Sequence, residues 1–220
     1  MYRLSLFLIL ISLSLTGQQL PDGFTYVKNE IPDIILELRY CQDDNFVGET
    51  IDGYEDDVCI LSSEATSALK KVQTDLKKKG YGLKIFDAYR PQQAVNHFVR
   101  WARDLSDKKM KAQYYPNEPK ARLFKRGYIA SKSGHSRGST VDITLVDKDG
   151  KEVDMGTPWD FFSRKSWPSN TQITKKQQVN RRILREAMLK HGFKPLRTEW
   201  WHFTLINEPF PKTYFDFPVQ

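Results

Sequence analysis

An aspartate set inside an apolar β-pattern is the strongest constraint this sequence places on its own fold. Val141, Ile143 and Leu145 alternate with Asp142 and Thr144, which is strand periodicity. A carboxylate in such a strand needs a partner once the strand is buried. Two histidines stand in suggestive phrases: His135 in the run Ser133-Gly-His-Ser-Arg-Gly138, and His202 in Glu199-Trp-Trp-His202. The chain has only four histidines, so two of them in these phrases are informative. With Asp142 and the spare Glu199 they make a zinc-hydrolase inventory of three protein ligands, one open position for water, and one carboxylate to take a proton. A metal held by segments so distant in sequence also ties a fold together.

Each residue taken alone has an ordinary reading. His135 beside Ser and Arg reads as a surface histidine, and His202 beside two tryptophans as packed core. Glu199 is the candidate general base, or else a surface carboxylate paired with Arg197. Residues three apart on a regular strand face opposite ways. Glu199 and His202 therefore reach one spot only if the chain bends or if Glu199 precedes the strand. Arg90 lies between a strand end and Pro91, where a forked, permanent charge suits an oxyanion or equally a helix start. His97 and His191 read as structural, the latter suited to the last turn of a helix.

Around these residues the pattern alternates helix and strand without a βαβ rhythm. The sequence predicts a helix from Ser62 or Ser63 to about Lys79, with Ala65, Leu69, Val72 and Leu76 inward and Gly80 as its stop. A strand over Leu83 to Tyr89 comes next. Pro91 then opens a second helix with Ala94, Val95, Phe98, Trp101, Ala102 and Leu105 on one face. Met110 to Gly127 reads as polar and irregular or weakly helical. The run Asp147 to Gly150 is a turn, with Lys151 to Asp154 returning as a hairpin arm. It lacks the acids of an EF-hand calcium loop. A third helix spans Thr174 to Lys190 with Val179, Ile183, Ala187 and Met188 inward, and a strand spans Trp200 to Ile206. The expected class is α+β: a single compact domain whose mainly antiparallel central sheet is flanked by helices.

At 220 residues the chain can bury one real core. Its net charge of +7 is spread out, with small clusters at Lys70-Lys71, Lys77 to Lys79 and Arg181-Arg182. That distribution reads as solvated surface, and no nucleic-acid partner is expected. Arg3 followed by the apolar run Leu4 to Leu15 reads as a signal peptide over residues 1–17, leaving a mature domain over 18–220. The chain is thus expected to be exported, periplasmic or secreted, with no stable membrane anchor after cleavage. In that setting Cys41 and Cys59, which flank a loop, can pair.

The joint pattern resembles the zinc D-alanyl-D-alanine dipeptidases of the VanX type, part of a wider group of zinc D,D-peptidases that shares a fold with the Hedgehog signalling domain. The resemblance rests on Ser133-x-His135-x-x-Gly138-x-x-x-Asp142 and Glu199-Trp-Trp-His202. It extends through Gly23 to Thr25, Asp44 to Phe46, Gly53-Tyr54, Asp87 to Pro91, Ala130 to Ser133, Asp154 to Gly156, Trp159 to Phe161 and Tyr214 to Pro218. It implies His135, Asp142 and His202 as ligands of one zinc ion per chain, Glu199 as base and Arg90 as the group that stabilises the tetrahedral intermediate. It also implies Tyr40, Asp160 and Ser133 around a small dipeptide substrate. Asp160 makes physical sense there, because a free dipeptide carries an ammonium one residue from the scissile bond. The implied activity is hydrolysis of D-Ala-D-Ala. The alternatives are a D,D- or L,D-carboxypeptidase acting on longer stem peptides and a non-catalytic Hedgehog-like metal-binding module. The best-known resistance enzymes of this type are cytoplasmic, so an exported chain fits cell-wall turnover or dipeptide scavenging better than resistance. Gly134 and Thr140 also depart from the family pattern beside the ligands.

Overall fold

The computed structural model describes residues 20–220, and the segment read as a signal peptide lies outside the described residues. The chain opens with β1 (Phe24–Tyr26), α1 (Val27–Glu30), β2 (Ile35–Leu36), β3 (Ile60–Ser62), α2 (Ser63–Lys77) and β4 (Tyr81–Asp87). Next come α3 (Gln92–Arg103), α4 (Lys111–Tyr114), α5 (Leu123–Arg126) and β5 (Thr140–Asp147). It closes with α6 (Lys175–Lys190), β6 (Phe193–Pro195) and β7 (His202–Leu205). Five strands form one sheet in the order β2-β4-β5-β7-β6, while β1 and β3 pair as a separate antiparallel ribbon. Every pair in the large sheet is antiparallel except β2 with β4. The expected α+β domain is therefore present, and its mainly antiparallel sheet is mixed at one edge. No helix among the described residues is long and apolar enough to cross a membrane.

The two long helices begin where side chains can satisfy their free N–H groups. Ser62 Oγ accepts from Ala65 N ahead of α2, and Thr174 and Gln177 form a reciprocal capping box ahead of α6. The helices pack on each other and on β4, β5 and β6. Strand register across the sheet decides which side chains meet at its end. β4 pairs with β5 as Leu83 with Leu145 and Ile85 with Ile143, then slips by one residue so that Asp87, not Phe86, faces Asp142. Asp142 in turn faces His202 on β7. Directly opposed residues project to the same side of a sheet, so the irregularity in β4 completes a row Asp87–Asp142–His202.

Several sequence expectations need correction. Pro91 is the N-cap of α3 rather than its first residue, and Leu105 lies past its end, 51% exposed. On α6, Ala187 and Met188 are buried and Ile183 half-buried as expected, but Val179 is exposed, and Leu184 and Arg181 are buried as well. The Arg181 guanidinium donates to the carbonyls of Met155, Lys165 and Trp167. Met110 to Gly127 contributes Tyr114, Tyr115 and Leu123 to the core. Lys151 to Asp154 does return along β5 as expected, but as a short arm: one antiparallel bridge, Glu152 with Val146, and the bonds Asp147 N to Lys151 O and Val153 N to Leu145 O. Cys41 and Cys59 are free thiols, and Cys41 Sγ donates to Asp56 O instead.

Gly138 ends the turn that carries His135, at φ +78°, a conformation that favours glycine. A Cβ there would lie 2.3 Å from the ring of Phe24. That ring is held among Tyr89, Phe210, Phe215 and Phe217 and has no room to yield. Gly138→Ala is expected to cost at least about 2 kcal/mol, combining backbone strain with overpacking. A urea unfolding midpoint compared with wild type checks this.

A candidate metal centre at the ends of three strands

Asp142, His202 and His135 converge although they come from β5, the first residue of β7 and the 3-10 turn Gly134–Arg137. His135 Nε2 lies 3.3 Å from Asp142 Oδ1 and 3.2 Å from His202 Nδ1, and His202 Nδ1 lies 3.1 Å from Asp142 Oδ1. A tetrahedral zinc with bonds of about 2.0–2.1 Å holds its ligand atoms about 3.3 Å apart. The triangle has that size. Asp142 Oδ1 is buried and accepts no hydrogen bond from the described residues, an orphaned acceptor that a cation would satisfy. His135 Nδ1 lies 2.7 Å from Ala88 O, so it carries the proton there and leaves Nε2 a free lone pair toward the triangle. Size, orphaned oxygen and tautomer all fit a zinc ion. Burial and then the Arg90 charge lower the His135 pKa, which also favours the neutral ligand form. Burial raises the Asp142 carboxyl, but His135 and His202 outweigh it and hold the group well below the usual range.

Glu199 precedes β7, and this resolves the geometric objection. The strand begins at His202, leaving the chain free to bring Glu199 Oε2 to 3.6 Å from His202 Nδ1. Burial, with the Asp142 charge adding and Arg90 opposing, raises its carboxyl to about 8. Arg90 is inside the site, not on the surface. Its Nε and Nη2 donate to Asp87 Oδ2 at 2.9 and 2.8 Å, and its guanidinium carbon sits 5.2 and 5.1 Å from the ring centres of Tyr40 and Phe98. Desolvation works against its charge, but Asp87 more than compensates, so the group stays cationic.

These groups open on a cavity of about 260 Å³ whose walls include Tyr40, Ser133, Asp160 and Leu196. The Tyr40 hydroxyl donates to Asp160 Oδ2 at 2.6 Å. Asp160 is the one non-glycine among the described residues with positive φ, +55°, a conformation that Asp tolerates better than most and that is held here inside the site. Burial and the nearby Asp142 charge raise its carboxyl well above normal. Ser133 Oγ accepts from His135 N and shapes the turn. Gly134 and Thr140 lie against each other, since a Cβ on Gly134 would be 2.8 Å from Thr140 Oγ1. Glycine at 134 thus makes room for threonine at 140, which bonds Thr204. His97 and His191 lie apart from the triad, His97 beside Glu49 and Asp52, His191 against Asp75.

Sequence reasoning missed Asp87. It is 1% exposed, receives the Tyr54 hydroxyl at 2.5 Å and both Arg90 donors, and lies 3.2 Å from His135 Nδ1. The clue was present, because Asp87 stands between Phe86 and Ala88 in a buried strand, the same anomaly that marked Asp142.

A family model described as Peptidase_M15, D-ala-D-ala dipeptidase, matches residues 21–220. A D-alanyl-D-alanine dipeptidase of Enterococcus faecalis is 42% identical over 200 residues, 90% of this chain and 99% of that protein. One from Streptomyces coelicolor is 40% identical over 197 residues, 89% of this chain and 98% of that protein. Among solved structures, VanYB in complex with D-alanine-D-alanine has a TM-score of 0.42 and 14% identity, over 71% of this chain and 77% of that one.

Asp87→Asn keeps the shape but withdraws the charge that orients His135 and Arg90. Such outer partners of metal ligands typically govern affinity 10–100-fold, so zinc affinity is expected to fall by about that factor. Competition against a chromophoric chelator measures it; unchanged affinity would remove Asp87 from the metal's support.

Proposed function

Because the chain belongs to the D-Ala-D-Ala dipeptidase family of M15 peptidases, we propose that it hydrolyses the free dipeptide D-alanyl-D-alanine to D-alanine, using one zinc ion per chain held by His135, Asp142 and His202. The single observation that carries this reading is the joint facing of the ligand triangle, Glu199, Arg90 and Asp160 onto one cavity. When bound there, zinc supplies Lewis acidity and lowers the pKa of water from 15.7 toward about 7. Glu199 takes a proton from the attacking water and delivers it to the leaving amine. Its elevated pKa suits the second step, and a divalent charge beside it favours the carboxylate needed for the first. Arg90, fixed by Asp87 and by two aromatic faces, stabilises the oxyanion that develops on the peptide carbonyl.

The acidic excess of the site suits a substrate that brings an ammonium: Asp87, Asp142, Asp160 and Glu199 are four carboxyl groups around one permanent cation, Arg90. Asp160 with Tyr40 is the place for the ammonium, since a carboxyl forced upward by burial and by Asp142 gains most from an adjacent positive charge. Export to the periplasm or beyond belongs to the same proposal and is supported by Arg3 and the apolar run after it. Cell-wall turnover or dipeptide scavenging is the corresponding role.

Release of free alanine from D-Ala-D-Ala, L-Ala-L-Ala and N-acetyl-D-Ala-D-Ala by the zinc-loaded protein tests the proposal. Cleavage of the first alone is expected. Cleavage of the acetylated compound would move the assignment to a carboxypeptidase, and no cleavage of any would overturn the activity. Glu199→Gln is expected to lower kcat by about 10²–10⁴-fold, the usual worth of a positioned general base, with zinc content by atomic absorption unchanged. Asp160→Asn should raise KM for D-Ala-D-Ala and narrow the discrimination against the acetylated compound, read from the ratio of the two kcat/KM values.

A further inference from the structure

The basic pair Arg181-Arg182 has no part in the proposed reaction. Arg181 is 6% exposed. Its Nε donates to Met155 O at 2.6 Å, its Nη1 to Lys165 O and Trp167 O at 3.0 Å each, and its Nη2 is buried without a partner. No carboxylate contacts the guanidinium among the described residues. Asp154 acts only at a distance, and burial lowers the Arg181 pKa to about 10. A buried charge of this kind normally carries a counter-ion, because desolvation of an unpaired ion costs several kcal/mol.

Arg181 forms part of the wall of a cavity of about 240 Å³ that is separate from the candidate metal centre. Arg182 and Arg185 stand in the same wall, with Trp200, Phe203 and Pro195 supplying an apolar surface. Among the described residues Arg182 pairs with Glu186 alone, at 4.0 Å, an exposed pair worth little. Arg185 makes no ion pair among the described residues. A neighbouring cavity shares Arg185 and Pro195 and adds Arg197 and Leu196, and Leu196 also borders the cavity of the metal centre.

We propose that the cavity between the exposed side of α6 and Trp200 is a second ligand site that takes an organic oxyanion, a carboxylate or a phosphate carried on an apolar body. Guanidinium forks match the paired oxygens of either group. Trp200, Phe203 and Pro195 receive the body, and the anion supplies the counter-charge that Arg181 lacks. The site stands on its own observations and does not depend on the dipeptidase reading.

Calorimetric titration of the zinc-loaded protein with benzoate, phenyl phosphate, inorganic phosphate and benzyl alcohol tests the site. Benzoate or phenyl phosphate is expected to bind at least tenfold more tightly than inorganic phosphate or benzyl alcohol, and the tighter of the two identifies the preferred oxyanion. The double variant R182A/R185A is expected to weaken that binding at least tenfold while leaving D-Ala-D-Ala turnover unchanged. Both substituted side chains are exposed, so the fold is retained; Arg181 is left in place because its carbonyl bonds hold α6. Failure of both aryl anions to bind would overturn the proposal. Binding that the double variant leaves unchanged would overturn it too, by placing the anion elsewhere, at the metal first of all.

Discussion

The row Asp87–Asp142–His202 across β4, β5 and β7 puts two carboxylates in the middle of a protein, nearly without solvent. Taking one carboxylate out of water costs several kcal/mol even after relaxation, so its neighbours must return most of that. Asp87 receives Tyr54 and Arg90. Asp142 Oδ2 receives Trp159 Nε1 at 3.3 Å and lies 3.7 Å from Arg90, while Oδ1 faces only the two histidines. The asymmetry of Asp142 is informative: one oxygen belongs to the protein, and the other is left for a cation.

Rigidity around this row comes from aromatic packing. Tyr40, Phe46, Phe98 and Trp159 contact one another beneath the cavity, and Arg90 lies between Tyr40 and Phe98. A guanidinium clamped by Asp87 and two rings has little orientational freedom left, so it need not reorganise when charge develops in front of it. A second aromatic group around Phe24 presses on Gly138 and thereby sets the turn that aims His135. The two clusters place His135 and Arg90 independently, yet the pair Asp87 and His135 joins them at 3.2 Å.

Much of this was legible in the sequence where residue type and period agreed. The α2 helix, its Ser62 cap and the β5 alternation could be read directly, and so could the three residues that the fold brings together as His135, Asp142 and His202. Asp142 was found because an acid in an apolar strand is anomalous. Asp87 was passed over, although it has the same context, because its strand lacked a neighbouring histidine to draw attention. The face of α6 departs from its pattern at its first turns: Val179 is apolar and exposed, whereas Arg181 is charged and buried. Hydrophobicity ranks these two residues the wrong way round, because Arg181 is held by three backbone carbonyls of the connection that precedes its helix. The polar run Met110 to Gly127 hides two core tyrosines for a similar reason.

The sequence by itself determined the chemistry that is available. Residue types and local spacing are covalent facts, and two histidines, an aspartate, a glutamate and an arginine in these phrases admit few uses. Tertiary structure alone decided the placement. A one-residue slip in β4 sets Asp87 rather than Phe86 opposite Asp142, and β7 starts at His202, which leaves Glu199 free to turn back. Neither is encoded in a local propensity, because register and strand ends are set by which cross-strand pairings bury the most apolar surface while satisfying the backbone. The unpaired charge of Arg181 is likewise a property of packing. Its side chain is ordinary in the sequence, and only the folded chain surrounds it with carbonyls and no acid.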